Sequence, residues 1–170
     1  MNAVSVHLAR LAEFAASRSS FIILTSSFRM PSFTATRRVE FRDTDAAGIM
    51  HFASFFPLME SVEHEFLRHL GLSVLSHDGA SPVSWPRVNA QCDFRSAVKF
   101  EDVLDVELSI SRLGEKSVTY HFDIRHAGRP VAEGSIAAVC CRLSPSGGPM
   151  QSIPIPVEIS AKLQPFCAGG

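Results

Sequence analysis

Residues 55–71 read FFPLMESVEHEFLRHLG, and within them Phe55, Met59, Val62, Phe66 and Leu70 recur at intervals of three and four. That spacing places these side chains on one face of an α-helix, which needs a partner surface to bury it. Pro57 lacks a backbone N–H and is tolerated only in a first turn, so the helix is expected to begin just before it, with Ser54 as N-cap. Gly71 suits the position just past a helix end, and Arg68 and His69 suit the negative pole of the last turn. About 16 residues at ~1.5 Å each give a helix of roughly 24 Å, long enough to cross a sheet.

Strand patterns stand on both sides. From Arg37 to Asp43, Val39 and Phe41 alternate with Arg38, Glu40 and Arg42, the period of a half-buried strand. Downstream, Val88, Ala90, Cys92 and Phe94 alternate with polar residues, as do Leu104 to Ile110 and Val118 to Ile124. A last strand from about Val131 to Leu143 is built from small residues, and Gly114 and Gly128 mark hairpin turns. One strand, one long helix and four more strands predict an α+β fold in which an antiparallel sheet wraps the helix.

Composition bounds the rest. The chain has 170 residues, 46% of them hydrophobic and 19% charged, the profile of one globular domain. A net charge of -1 with scattered basic residues argues against a nucleic-acid partner, and no apolar run approaches the roughly 20 residues of a membrane span. Cys92, Cys140, Cys141 and Cys167 lack metal-ligand or CxxC spacing and read as reduced, packed thiols of a cytoplasmic protein. The histidines lack the clustered spacing of a metal site, so no metal is expected. Residues 1–30 hold Arg10, Arg18 and Arg29 against Glu13 alone and lack a convincing periodic segment. Such a composition suits an organelle transit peptide, but Met30 directly before Pro31 favours an extension outside the fold. The expected organisation is an extension over 1–30, a domain over 31–145, and a Pro/Gly-rich C-terminal tail over 146–170.

The densest chemical signal is RDTDAAGIMHF, residues 42–52, between the first strand and the helix. Unpaired N–H groups and the positive helix pole converge there, which stabilises a carbonyl oxygen gaining negative charge. Asp45 lies close by, and Ala46, Ala47 and Gly48 leave room for a substrate to approach the backbone. Asp43 and Asp45 equally suit a turn, because Asp side chains accept from nearby backbone N–H groups. Both readings stand on spacing alone.

The order D-x-D-x-x-G-I, long helix, strand and FEDVLDVE resembles hotdog-fold thioesterases of the 4-hydroxybenzoyl-CoA thioesterase type and the related Tol-Pal-associated acyl-CoA thioesterases, over about Arg37 to Leu143. The resemblance implies a hotdog fold and hydrolysis of an acyl-CoA to a carboxylic acid and coenzyme A. It also implies Asp45 as nucleophile or general base, and a carbonyl-polarising backbone N–H near Phe52, with Gly48 and His51 lining the site. It further implies a homodimer or homotetramer with sites at subunit interfaces, and coenzyme A as half of the substrate, with no retained cofactor. This chain departs from the pattern in the order His51-Phe52, and in carrying Ser54 and Phe55 where relatives often have Asn and an aromatic hydroxyl. Ser54 and Glu60 are secondary candidates, Glu60 with His64 also forming an i, i+4 helix pair, and Glu63 has the same surface-pair explanation. Two other classes fit the same fold. A 3-hydroxyacyl-thioester dehydratase would use His51 with Glu60 or Glu63 but leave DTDAAG unexplained, and a noncatalytic acyl-thioester binding protein needs no reacting group.

Overall fold

Leu104, Val106, Leu108 and Ile110 are each 0% exposed, and the residues between them face outward. This alternation makes β5 (Val103–Leu113) an interior strand of an antiparallel sheet, with one face on the core. A computed structural model describes residues 31–77, 81–144 and 148–167. The expected extension over 1–30 lies outside the described residues. In chain order the elements are β1 (Phe33–Arg38), α1 (Phe55–His69), β2 (Leu75–His77), β3 (Pro82–Ser84), β4 (Arg87–Phe94), β5, β6 (Ser117–His126), β7 (Arg129–Val139), β8 (Cys141–Arg142), β9 (Gln151–Ser152) and α2 (Val157–Leu163). The main sheet has the order β1-β5-β6-β7-β4, and a small second sheet has the order β2-β3-β8-β9.

The main sheet curves around α1, whose Phe55, Met59, Val62 and Phe66 are buried against it. Gly134 on β7 makes this approach possible, since a Cβ there would run into the Met59 thioether and crowd the Gln91 carbonyl. The helix ends as expected: Gly71 has φ +66, Leu72 N–H donates to Leu67 O (2.8 Å) and Gly71 N–H to Arg68 O (2.9 Å). On the outer face, strict register sets Asp93, Glu133, Asp123 and Glu107 side by side across β4, β7, β6 and β5. Arg125 binds Asp123 at 2.7 Å, and Arg95 lies 3.5 Å from Glu133.

Several boundaries depart from expectation. The first strand is Phe33–Arg38, and Phe41–Asp43 instead forms a 3-10 turn closed by Glu40 N–H on Asp43 Oδ2 (2.9 Å) and Asp43 N–H on Glu40 O (2.9 Å). Phe41 is therefore 77% exposed, while Val39 alone of that pattern is buried. The last strand breaks at Cys140, where the chain leaves the main sheet for the small one, so the adjacent Cys140 and Cys141 are both buried. The segment expected as a tail adds β9 and α2; Leu163 is fully buried, and Phe166 meets Phe66 edge to face with ring centroids 4.9 Å apart. No helix of the described residues is long and apolar enough to cross a membrane.

Candidate active site

Residues 44–50 form a small hairpin between the 3-10 turn and α1, closed by an antiparallel bridge between Thr44 and Met50. Asp45 N–H donates to Ile49 O (3.0 Å), and Gly48 N–H returns to Asp45 O (2.9 Å). Gly48 has φ +74, a conformation that disfavours other residues and explains the glycine. Asp45 Oδ1 accepts from Ala47 N–H at 2.8 Å. The carboxylate thus shapes its own turn while remaining exposed to solvent.

The helical run starts earlier than the sequence suggests. Phe52–Ser54 is a 3-10 turn leading directly into α1, and its N-cap is His51, whose Nδ1 accepts from Ala53 N–H at 3.2 Å. Ser54 is already helical and caps nothing; its hydroxyl donates to Asp43 O (3.0 Å), which also accepts from His51 N–H (2.8 Å). Asp43 therefore anchors the hairpin to the helix start. Phe52, one residue into the run, has its N–H without an acceptor among the described residues, as the first turn of a helix leaves it.

Asp45 and Phe52 line one open cleft of ≈ 370 Å³, with Ile49, Met50, Phe55, Phe94 and residues 95–98. The far wall is a strap, residues 95–99, that follows β4. Arg95 and Ser96 N–H donate to Val131 O (2.8 and 3.1 Å), and Arg129 binds Ala97 O (3.1 Å). The other end of the strap receives the hairpin, through Met50 N–H on Val98 O (2.8 Å) and the Ile49–Lys99 bridge. Helix start, hairpin and strap thus converge at one end of the sheet. Gly48, His51, Ser54 and Glu60 do not line this cleft; Ser54 faces another, with Arg38 and Arg42.

Sequence chemistry matches this geometry. The thioesterase-like superfamily profile matches residues 39–163, which span hairpin, helix, main sheet and α2. The chain belongs to the thioesterase-like superfamily. It is similar to a 1,4-dihydroxy-2-naphthoyl-CoA hydrolase of Prochlorococcus marinus, 34% identical over 96 residues, 52% of this chain and 64% of that protein. Among solved structures it resembles a 1,4-dihydroxy-2-naphthoyl-CoA thioesterase from Synechocystis (TM-score 0.70, 24% identity, 79% of this chain and 96% of that one). It also resembles a gentisyl-coenzyme A thioesterase (TM-score 0.67, 28% identity, 77% of this chain and 99% of that one). The fold is the hotdog fold of these thioesterases, and the chain is a thioester hydrolase.

A second polar group lies under the middle of α1. Glu63 is 0% exposed and its Oε2 accepts from Arg87 Nη2 at 2.8 Å. Arg87 also donates to Trp85 O (2.6 Å) and approaches Glu60 (3.7 Å) and His64 (3.4 Å). Burial, only partly offset by Arg87, pushes the Glu63 carboxyl up to about 7, and burial lowers His64. Glu60 keeps its expected i, i+4 contact with His64 (3.9 Å). The surface explanation of Glu63 fails, because the helix buries it. Its signal was its place between Met59 and Phe66 on the apolar face; Arg87 offered no comparable cue. Glu60 and Glu63 are engaged with Arg87, and among the described residues neither contacts His51. Burial raises the thiols of Cys92 and Cys140 to about 11, which suits packing and not nucleophilic attack at neutral pH. Among the described residues no group of three His, Cys, Asp or Glu side chains could hold a metal ion.

Proposed function

We propose that this thioester hydrolase acts on acyl-CoA, with Asp45 as the reacting carboxylate and Phe52 N–H as the donor to the thioester carbonyl oxygen. One observation carries the reading: an exposed carboxylate and a helix-start residue with an unclaimed N–H line the same apolar cleft. The acyl group lies against Phe55 and Phe94, and its carbonyl oxygen points to the N–H, where the helix dipole favours developing negative charge. Asp45 then attacks the carbonyl carbon, expelling coenzyme A thiolate and leaving an acyl anhydride that water cleaves, or it takes a proton from water that attacks directly. Either route yields the carboxylic acid and coenzyme A, and neither needs a further cofactor or metal. Ala47 N–H, held on Asp45 Oδ1, fixes the carboxylate and leaves Oδ2 for the reaction.

Two isosteric changes test this. Asp45→Asn removes the charge that both routes require and is expected to lower turnover of an acyl-CoA by a factor of ~100 or more at unchanged melting temperature. Asp43→Asn acts on the turn, so its loss of activity should follow its loss of stability. Full turnover by Asp45→Asn would leave Asp45 with the turn alone.

A further inference from the structure

Two cavities meet at Met50, the root of the hairpin that carries Asp45. The cleft of the proposed reaction is one. The other, of ≈ 460 Å³, lies between β1, the 3-10 turn and the first turns of α1, and Arg38 and Arg42 line it. Neither guanidinium has a hydrogen-bond or ion-pair partner among the described residues. Their neighbour Arg37, in contrast, is spent on Ser61 Oγ (3.1 Å), Thr36 O (2.8 Å) and Glu65. Two carboxylates share the wall. Asp43 is tied into the turn, with Oδ2 on Glu40 N–H (2.9 Å), and the Glu40 side chain is exposed; neither makes an ion pair with Arg38 or Arg42. The concave place on the outer sheet lined by Arg95, Arg125 and Arg129 differs, since Glu133, Asp123 and Ala97 O already engage its guanidiniums.

Two unengaged guanidiniums beside the positive pole of α1 make a place for an anion, and their planar N–H forks match the oxygens of a phosphate. Resting on the hydrolytic reading above, we infer that this second cavity holds a phosphate of the coenzyme A half, with Arg38 and Arg42 donating to its oxygens. The thioester at Asp45 and the phosphate are then joined by the pantetheine arm, which crosses the hairpin. The hairpin tip allows it. Ala46, Ala47 and Gly48 are exposed and carry at most a methyl group, and a Cβ built on Gly48 would meet nothing within 4 Å.

Two thioesters of one acyl group decide the matter: benzoyl-CoA against S-benzoyl-pantetheine, which lacks every phosphate, or the octanoyl pair where the parent turns it over faster. In the double variant Arg38→Gln/Arg42→Gln, the ratio of kcat/KM for the CoA ester to that for the pantetheine ester is expected to fall roughly 10- to 100-fold, the scale of lost charge-assisted hydrogen bonds. Both esters meet the same protein, so any loss of folded material cancels in the ratio. An unchanged ratio overturns the inference and leaves hydrolysis standing. So does a fall caused by Arg125→Gln and not by the double variant, which would put the phosphate on the outer sheet. If the parent hydrolyses neither pair, the hydrolytic reading fails, and calorimetric titration of coenzyme A reads the cavity by itself. Weaker binding by the double variant in the same proportion keeps the inference, whereas equal affinity, or no binding to the parent, overturns it.

Discussion

Glu63 illustrates how one residue sets a pH response. Its carboxyl is raised from 4.5 to about 7 mainly by burial, so the folded chain holds a proton that the unfolded chain releases at lower pH. Folding is then favoured by protonation, and stability falls as pH climbs from about 4.5 to about 7, with the full penalty present above that range. Arg87 at 2.8 Å offsets part of this penalty, while Glu63 Oε1 and Arg87 Nε remain buried without partners among the described residues. Tyr120 on β6 lies under the same pair, its hydroxyl driven upward by burial and then by Glu63. We expect the melting temperature to decline across that range and the decline to flatten in Glu63→Gln. Thermal unfolding of both proteins at several pH values checks it, and parallel curves would assign the decline to other groups.

At the scale of elements, the packing of α1 on β7 turns on Gly134. A methyl there must displace the end of Met59, which is 0% exposed, and must press on the Gln91 carbonyl of the neighbouring strand. Gly134→Ala is expected to cost about 1–3 kcal/mol, the range for overpacking a core. Denaturant unfolding measures it, and adding Met59→Ala should remove much of the crowding, so that the two effects fail to add. What was legible in the sequence divides along similar lines. Helix α1, the strands from Val103 to Val139 and the Gly71 stop were legible because long periodic runs and one permissive residue record local physics. The Phe41 turn was not, since a two-residue alternation looks the same whether Phe41 enters the core or is swung out by the Glu40–Asp43 turn. In the site, the DxD motif and helix start were readable as chemistry. Phe94 and the strap entered only through contacts between segments about 50 residues apart in sequence, from Asp45 or Ile49 to residues 94–99, which no local pattern encodes. His51 as cap escaped because a 3-10 turn extends the helical run before the residue that propensity favours.

For the whole molecule, the C-terminal segment is structural. Ile155, Ile159 and Leu163 are between 0% and 9% exposed, and at ~1.5–3 kcal/mol for each buried aliphatic side chain their loss would be severe for a domain of ordinary stability. Ending the chain after Pro154 is expected to lower the melting temperature markedly; an unchanged transition would mean that α2 merely rests on the core. The β4 edge raises the question of assembly. It pairs with β7 on one side only, and its residues are exposed or half-buried throughout, with Val88 at 64%. Such an edge invites a partner strand, so we expect a homodimer or homotetramer by light scattering at micromolar concentration, and a monomer alone would overturn that expectation.

The acidic row Asp93, Glu133, Asp123 and Glu107 bears on how such copies meet. Like charges directly opposite one another oppose strand pairing, and here that opposition is tempered by Arg125 on Asp123 and Arg95 beside Glu133. Two sheets stacked through this surface would double the row and strip hydration from carboxylates whose arginines are shared out within one copy. Added electrolyte weakens such repulsion within a few ångströms to a nanometre. The outer sheet therefore acts as a charged spacer, steering association toward the strand edge and the helix side and making any sheet-to-sheet contact a creature of high ionic strength.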